Sequence, residues 1–237
     1  MRLLIIRHAD PDYPNNTITA AGHLEAAALA KRMATLRPSL PSRLYASPLG
    51  RARHTADYTA KALGMAYAIE DWTAELGCGV NWPADGPKIA AWDVPAELLR
   101  EPATDELGAG RWSTDMIDHP DVRAEREKVA RGSDEFLARH GYVREGGRFR
   151  IVQGHRDTIA VFCHGGFGLT WLAHLLALPL AMVWGGFWLP PSSVTTVLFD
   201  ERSADWATPR AIGVGDVSHL YEAGLAVQPS GIKANYQ

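Results

Sequence analysis

The chain is 237 residues long, 46% hydrophobic and 22% charged, with a formal net charge of -3. That length suits one well-buried core, and the composition excludes a disordered chain. The net acidic charge excludes the basic surplus of a nucleic-acid binder, so any bound anion must be held by a few local groups.

LLIIRH, from Leu3, is a short apolar run ending in polar residues and predicts a buried parallel strand. AAGHLEAAALAKRMATL follows as a helix, with Thr19 as its N-cap and Pro38 just past its end. RLYAS, from Arg43, is a second strand. Ser47-Pro48 then predicts a helix start, with Ser47 as N-cap, running through RARHTADYTAKAL and stopping near Gly64. AYAIE, from Ala66, is a third strand. Between about Asp71 and Pro120 the pattern dissolves into Gly, Pro and Trp. It resumes as the helix DVRAEREKVARGSDEFLARHG and a hairpin in which YVRE and RFRIVQG flank Gly146-Gly147. TIAVFCH predicts a core strand, GGFGLTWLAHLLAL a helix, SVTTVLFD a strand, and PRAIGVG part of a last one. This alternation predicts an α/β fold, a three-layer sandwich around a mainly parallel sheet. The whole chain, 1–237, reads as a single domain, with residues 72–155 inserted as a cap over one edge.

No Asp, Glu, Lys or Arg occurs between Asp157 and Asp200, a span long enough to cross a membrane. Pro179, Gly185-Gly186 and Pro190-Pro191 split it into globular lengths, so no membrane segment is expected. A homodimer face could use part of this surface. Cys78 and Cys163 are too few for a disulfide framework and have no zinc spacing, and the opening apolar run is too short for a signal peptide. A cytoplasmic protein is the expectation.

Four residues stand where strands end or helices begin: Arg7, His8, Arg51 and His164. In open α/β sheets, ligands bind outside the carboxyl ends of the strands. Two guanidinium forks suit phosphate oxygens, and the Gly165-Gly166 start of a helix offers free N–H groups to the same ligand. One neutral histidine can attack phosphorus while the other donates a hydrogen bond, and Arg7 and Arg51 should lower the pKa of His8. No His pair has the spacing of a metal site, so neither metal nor cofactor is expected.

At these positions the chain resembles the histidine phosphatase superfamily, the phosphoglycerate mutase-like family. RHAD (Arg7–Asp10) is similar to its Arg-His-Gly-Glu signature, with Ala9 and Asp10 as departures. SPLGRARHTA (Ser47–Ala56), ITAAG (Ile18–Gly22), AELGCGVNW (Ala74–Trp82), FCHGG (Phe162–Gly166) and GDVSHL (Gly215–Leu220) resemble its other signatures in order. The resemblance implies a phosphohistidine at His8, phosphate contacts from Arg7, Arg51 and His164, beside the Gly165 N–H offered by the helix start, and Glu75 as general acid. Gly165 stands where the superfamily's other branch carries its proton-donating Asp, which returns that role to Glu75. Asp10, Glu70 and Asp71 are competing acids. Asn16 and Trp82 are candidate substrate contacts, and Trp72, Trp82, Trp92 and Trp112 fit either an aromatic lid or a small core of the insertion. The expected function is hydrolysis of a small phosphorylated metabolite. A mutase-type isomerase and a non-catalytic phospho-ligand binder are the alternatives.

Overall fold

Residue alternation along the first strand divides the interior into two cores. Leu3 and Ile5 face one packed cluster, and Leu4 and Ile6 face another. A strand with apolar residues on both faces must lie mid-sheet with a layer on either side, and each such Leu or Ile contributes about 1.5–3 kcal/mol by burial. The computed structural model describes residues 1–36, 39–81, 85–99, 117–232 and 235–236. Pro38, Trp82 and Trp112 lie outside them.

The chain opens with β1 (Arg2–Arg7), the short pair β2 (Pro11–Asp12) and β3 (Thr17–Ile18), and helix α1 (Ala20–Thr35). Next come β4 (Pro41–Ala46), α2 (Gly50–Leu63), β5 (Tyr67–Ile69) and a hairpin of β6 (Gly79–Asn81) and β7 (Lys88–Ala90). The remainder is α3 (Pro120–Arg139), β8 (Tyr142–Glu145), β9 (Arg148–Ile151), β10 (Thr158–Cys163), α4 (Gly165–Leu176), α5 (Leu180–Gly186), β11 (Val194–Asp200), β12 (Trp206–Asp216) and α6 (Ser218–Glu222). Eight strands form one sheet in the order β5-β4-β10-β1-β11-β12-β9-β8. The half from β5 to β1 is parallel, and the half from β11 to β8 adds antiparallel strands. Leu29 and Met33 of α1 and Ala56 and Ala60 of α2 pack on one face. Phe136 and Leu137 of α3 and Phe167 and Trp171 of α4 pack on the other, completing the α/β sandwich.

Local signals explain most boundaries. The Thr19 hydroxyl accepts the Gly22 N–H at 3.0 Å and caps α1. Gly64 ends α2 at φ +64°, a left-handed conformation that glycine adopts without strain. Ser47 does not cap α2. The helix starts at Gly50, because Ser47 ends the β4 edge and its hydroxyl is engaged elsewhere. Within the 72–155 stretch, α3 packs against α4, and β8 and β9 extend the main sheet. The described residues 71–81 and 85–99 include 3-10 turns and the paired strands β6 and β7. Among the described residues no helix is long and apolar enough to cross a membrane.

Candidate active site

Register places the key side chains. β1 pairs in parallel with β10 so that Arg7 lies opposite Cys163, and the His8 N–H donates to the Cys163 carbonyl at 2.9 Å. β10 pairs with β4, Phe162 opposite Ala46, and the Ser47 N–H donates to the Phe162 carbonyl at 2.9 Å. Three neighbouring strands thus end together, and His8, His164 and Ser47 emerge side by side at their carboxyl edge. The two imidazoles stand 5.1 Å apart between centroids. Arg51, in the first turn of α2, points its Nε at His8 Nε2 from 3.3 Å. Arg7, Arg51, Glu75 and Gly165 line one cavity of about 810 Å³.

His8 is fixed in one tautomer. Its Nδ1 lies 2.8 Å from the Ala9 carbonyl, which can only accept, so the proton sits on Nδ1, and the unprotonated Nε2 accepts from the Arg51 Nε–H at 3.3 Å. Burial, with the charges of Arg7 and Arg51, holds its pKa well below the usual histidine range, although the Ala9 bond opposes this. His164 is likewise held neutral by burial and by His8, Arg51 and Arg7. Its Nε2 meets Ser47 Oγ at 2.7 Å, while Oγ also accepts the Leu49 N–H at 3.3 Å. When the Ser47 hydroxyl donates to Nε2, the His164 proton resides on Nδ1. That Nδ1 and the Nε of Arg7 are buried without a partner among the described residues. Arg7 is oriented instead through Nη1, which donates to the Leu189 carbonyl at 2.6 Å.

Glu75 occupies the start of α4. Its carboxylate accepts from Gly166 N–H at 3.2 Å, Phe167 N–H at 2.7 Å and Leu76 N–H at 3.1 Å. The N–H group of Gly166, expected to be free for an anion, and that of Phe167 are thus taken by this side chain. A carboxylate is the natural occupant of a helix N-terminus, where unpaired donors and the dipole favour it. Burial nevertheless raises its pKa, with the three N–H bonds and Arg7 opposing. The competing acids are otherwise engaged. Asp10 accepts from Thr19 Oγ1 and Ser230 Oγ. Glu70 pairs with Arg139 and the Trp72 indole, and Asp71 is exposed.

Asn16 has φ +49° and its Oδ1 accepts from Arg51 Nη1 at 3.2 Å, so it serves both a turn and the site. Gly50 is required beneath it: a side-chain carbon there would sit 2.2 Å from the Asn16 carbonyl oxygen. Trp72 belongs to the core, edge-on to Trp171 and Phe167, whereas Trp92 lines the cavity and lies on Gly166. Trp82 lies outside the described residues. Sequence reasoning missed Tyr13, whose ring faces Arg51 at 5.4 Å and nothing in its loop announced. It also missed Ser47 as the partner of His164, although the strand-end rule would have placed it there. Glu25 was missed too, a 1% exposed carboxylate whose Oε2 accepts the Asp10 N–H at 2.8 Å. Its signal was an acid in the Ala26, Leu29, Ala30, Met33 stripe of α1. Among the described residues, no three His, Cys, Asp or Glu side chains cluster to hold a metal ion.

The structure is a three-layer α/β sandwich with two imidazoles and two guanidiniums gathered at the carboxyl edge of its sheet. The sequence matches the histidine phosphatase superfamily (branch 1) over residues 3–210, and the chain belongs to that family. No curated protein matches it closely enough to be informative. Solved structures share the fold at low identity. A mycobacterial glucosyl-3-phosphoglycerate phosphatase is 19% identical, with a TM-score of 0.56 over 90% of this chain and 97% of that one. A phosphoserine phosphatase of Entamoeba histolytica, in complex with 3-phosphoglyceric acid, is 17% identical, with a TM-score of 0.58 over 92% and 98%. A mycobacterial hydrolase is 20% identical, with a TM-score of 0.57 over 91% and 98%.

Proposed function

We propose that the chain is a phosphatase that hydrolyses phosphomonoesters through a phosphohistidine on His8. The supporting observation is the state of that imidazole. It is neutral, its Nδ1 is committed to a backbone carbonyl, and its Nε2 lone pair is directed toward the Arg51 guanidinium. A phosphoryl group there meets the guanidiniums of Arg7 and Arg51. It also meets two buried nitrogens that lack a partner among the described residues, Arg7 Nε, a donor, and His164 Nδ1, a donor in the tautomer in which Ser47 donates to Nε2. Such preorganised donors stabilise the equatorial oxygens of the transferring group.

In the first step the His8 Nε2–P bond forms as the ester P–O bond breaks, and Glu75 gives its proton to the leaving alcohol. In the second step water attacks phosphorus, its proton goes to Glu75, and the N–P bond breaks to return neutral His8 and inorganic phosphate. The chain works as a single catalytic domain, with residues from the 72–155 stretch walling the site. The test is acid-labile, alkali-stable labelling of the protein by a 32P-phosphoester, together with product analysis on 3-phosphoglycerate. His8→Ala should lose both label and turnover. Formation of the 2-phospho isomer in place of inorganic phosphate would make the protein a mutase, and turnover by His8→Ala would remove the nucleophile assignment.

A further inference from the structure

The cavity that holds Arg7, Arg51 and Glu75 is much larger than a phosphoryl group needs. Its volume of about 810 Å³ falls in the range of pockets that enclose drug-sized ligands. The wall away from the arginines is aromatic and aliphatic, made by Ile89, Trp92, Val94, Trp184, Phe187 and Trp188. Trp92 and Trp184 meet edge to face with centroids 6.4 Å apart. Trp92 lies directly on the start of α4: a side-chain carbon at Gly166 would sit 2.4 Å from its indole. The apolar wall therefore begins at the helix turn that anchors Glu75, where the alcohol of a phosphoester leaves.

Charge narrows the ligand further. Among the described residues lining the cavity, Arg7 and Arg51 are the cations, and both belong to the phosphate end. A second anionic group on the substrate, such as a glycerate or amino-acid carboxylate, would meet indole faces there and would lose hydration.

We propose that the substrate is a phosphomonoester of a bulky, uncharged, apolar alcohol, aromatic or long-chain, and not a phosphorylated small acid. The proposal rests on the phosphatase reading for the word substrate, but the cavity's preference is measurable without turnover. Ethyl-, butyl- and hexylphosphonate carry the same head group and cannot be hydrolysed, so calorimetric titration of the protein with each reads the wall alone. A fully buried methylene tightens binding about fourfold, so four methylenes at half burial should give hexylphosphonate about tenfold or more over ethylphosphonate. 2-Carboxyethylphosphonate should bind more weakly than butylphosphonate of similar length. Equal affinity along the alkyl series, or tighter binding of the carboxylated ligand, overturns the proposal. The double variant Trp92→Ala, Phe187→Ser should lose most of the hexyl gain, with its affinity for inorganic phosphate reporting that it is folded. A full hexyl gain in that variant places the alkyl chain elsewhere and also overturns the proposal. Failure of the phosphatase reading looks different: no phosphoester is turned over and no phosphohistidine forms, while the alkyl series still shows its slope.

Discussion

Replacing Glu75 by Gln separates proton transfer from structure. Three N–H groups converge on the carboxylate, two on Oε1 and one on Oε2. Glutamine can keep the two bonds to Phe167 and Leu76 by placing its oxygen there, but it turns an NH2 toward the Gly166 N–H. One charge-assisted bond of about 1.5–3 kcal/mol is lost. Burial already disfavours the ionised carboxylate, as its raised pKa records, so removing the charge returns part of that loss. Net destabilisation should be about 1–2 kcal/mol, measurable by urea unfolding. Proton transfer is a larger effect: a positioned general acid contributes about 10²–10⁴-fold, or about 2.7–5.4 kcal/mol of barrier. The loss should appear in full with an alkyl phosphate, whose alkoxide must be protonated as it leaves. With p-nitrophenyl phosphate, whose leaving group departs as an anion, phosphorylation of His8 should be nearly unaffected. The variant should then release a burst of nitrophenol followed by slow turnover, since the missing base delays hydrolysis. Rapid-quench kinetics on both esters decide the matter. An equal loss with the two esters and no burst would refute Glu75 as the proton-transfer group and leave it a positioning residue.

Other outcomes follow from the same geometry. kcat/KM should fall toward acid as His8 gains a proton, at a pH below the usual histidine range, and toward base as Glu75 ionises, above the usual carboxylate range; a pH–rate profile of wild type and Glu75→Gln checks both limbs. Ser47→Ala removes the 2.7 Å partner of His164 Nε2, frees the ring to change tautomer, and should lower kcat about tenfold with little change in fold by circular dichroism. Burial and the nearby Asp10 raise the Glu25 pKa from 4.5 to about 7, against the Asp10 N–H bond, Arg7 and Ser192. The folded carboxyl is then protonated where the unfolded one is ionised, so its stabilising contribution is present below the unfolded pKa and lost as pH rises through about 7. Glu25→Gln abolishes that titration, so unfolding free energies at pH 8 relative to pH 4.5 should shift in its favour by about 3 kcal/mol against wild type. Thr19→Ala deletes the α1 cap and its 2.7 Å bond to Asp10, and should cost about 1–2 kcal/mol in thermal or urea unfolding.

The parallel half of the sheet was legible because its strands are continuous apolar runs ending in polar residues, as in LLIIRH and TIAVFCH. Arg7, His8, Arg51 and His164 could be grouped for the same reason: strand ends mark the ligand edge, and the structure puts Arg7 and Arg51 in the cavity lining with His8 beside Arg51 and His164 beside His8. What sequence could not supply was competition for shared groups. Ser47 has the composition of an N-cap, but the register of β4 against β10 puts its hydroxyl beside His164, and that partner takes it. Gly165-Gly166 has the composition of an anion-binding helix start, but a carboxylate from ninety residues earlier in the chain reaches it first. Trp72 and Trp92 have the same side chain in the same irregular stretch. One fills the core under α4 and the other faces the cavity, a distinction that only three-dimensional packing makes.

The seating of Glu75 bears on how one group can serve two opposite steps. Loss of solvent pulls it toward holding a proton, and the three peptide dipoles aimed at it pull toward giving that proton up. Burial is the stronger pull, and in the proposed mechanism the carboxyl would switch between donor and acceptor without travelling. Because His164 caps the helix whose first turn anchors the Glu75 carboxylate, one short turn of backbone fixes both that carboxylate and the imidazole beside His8.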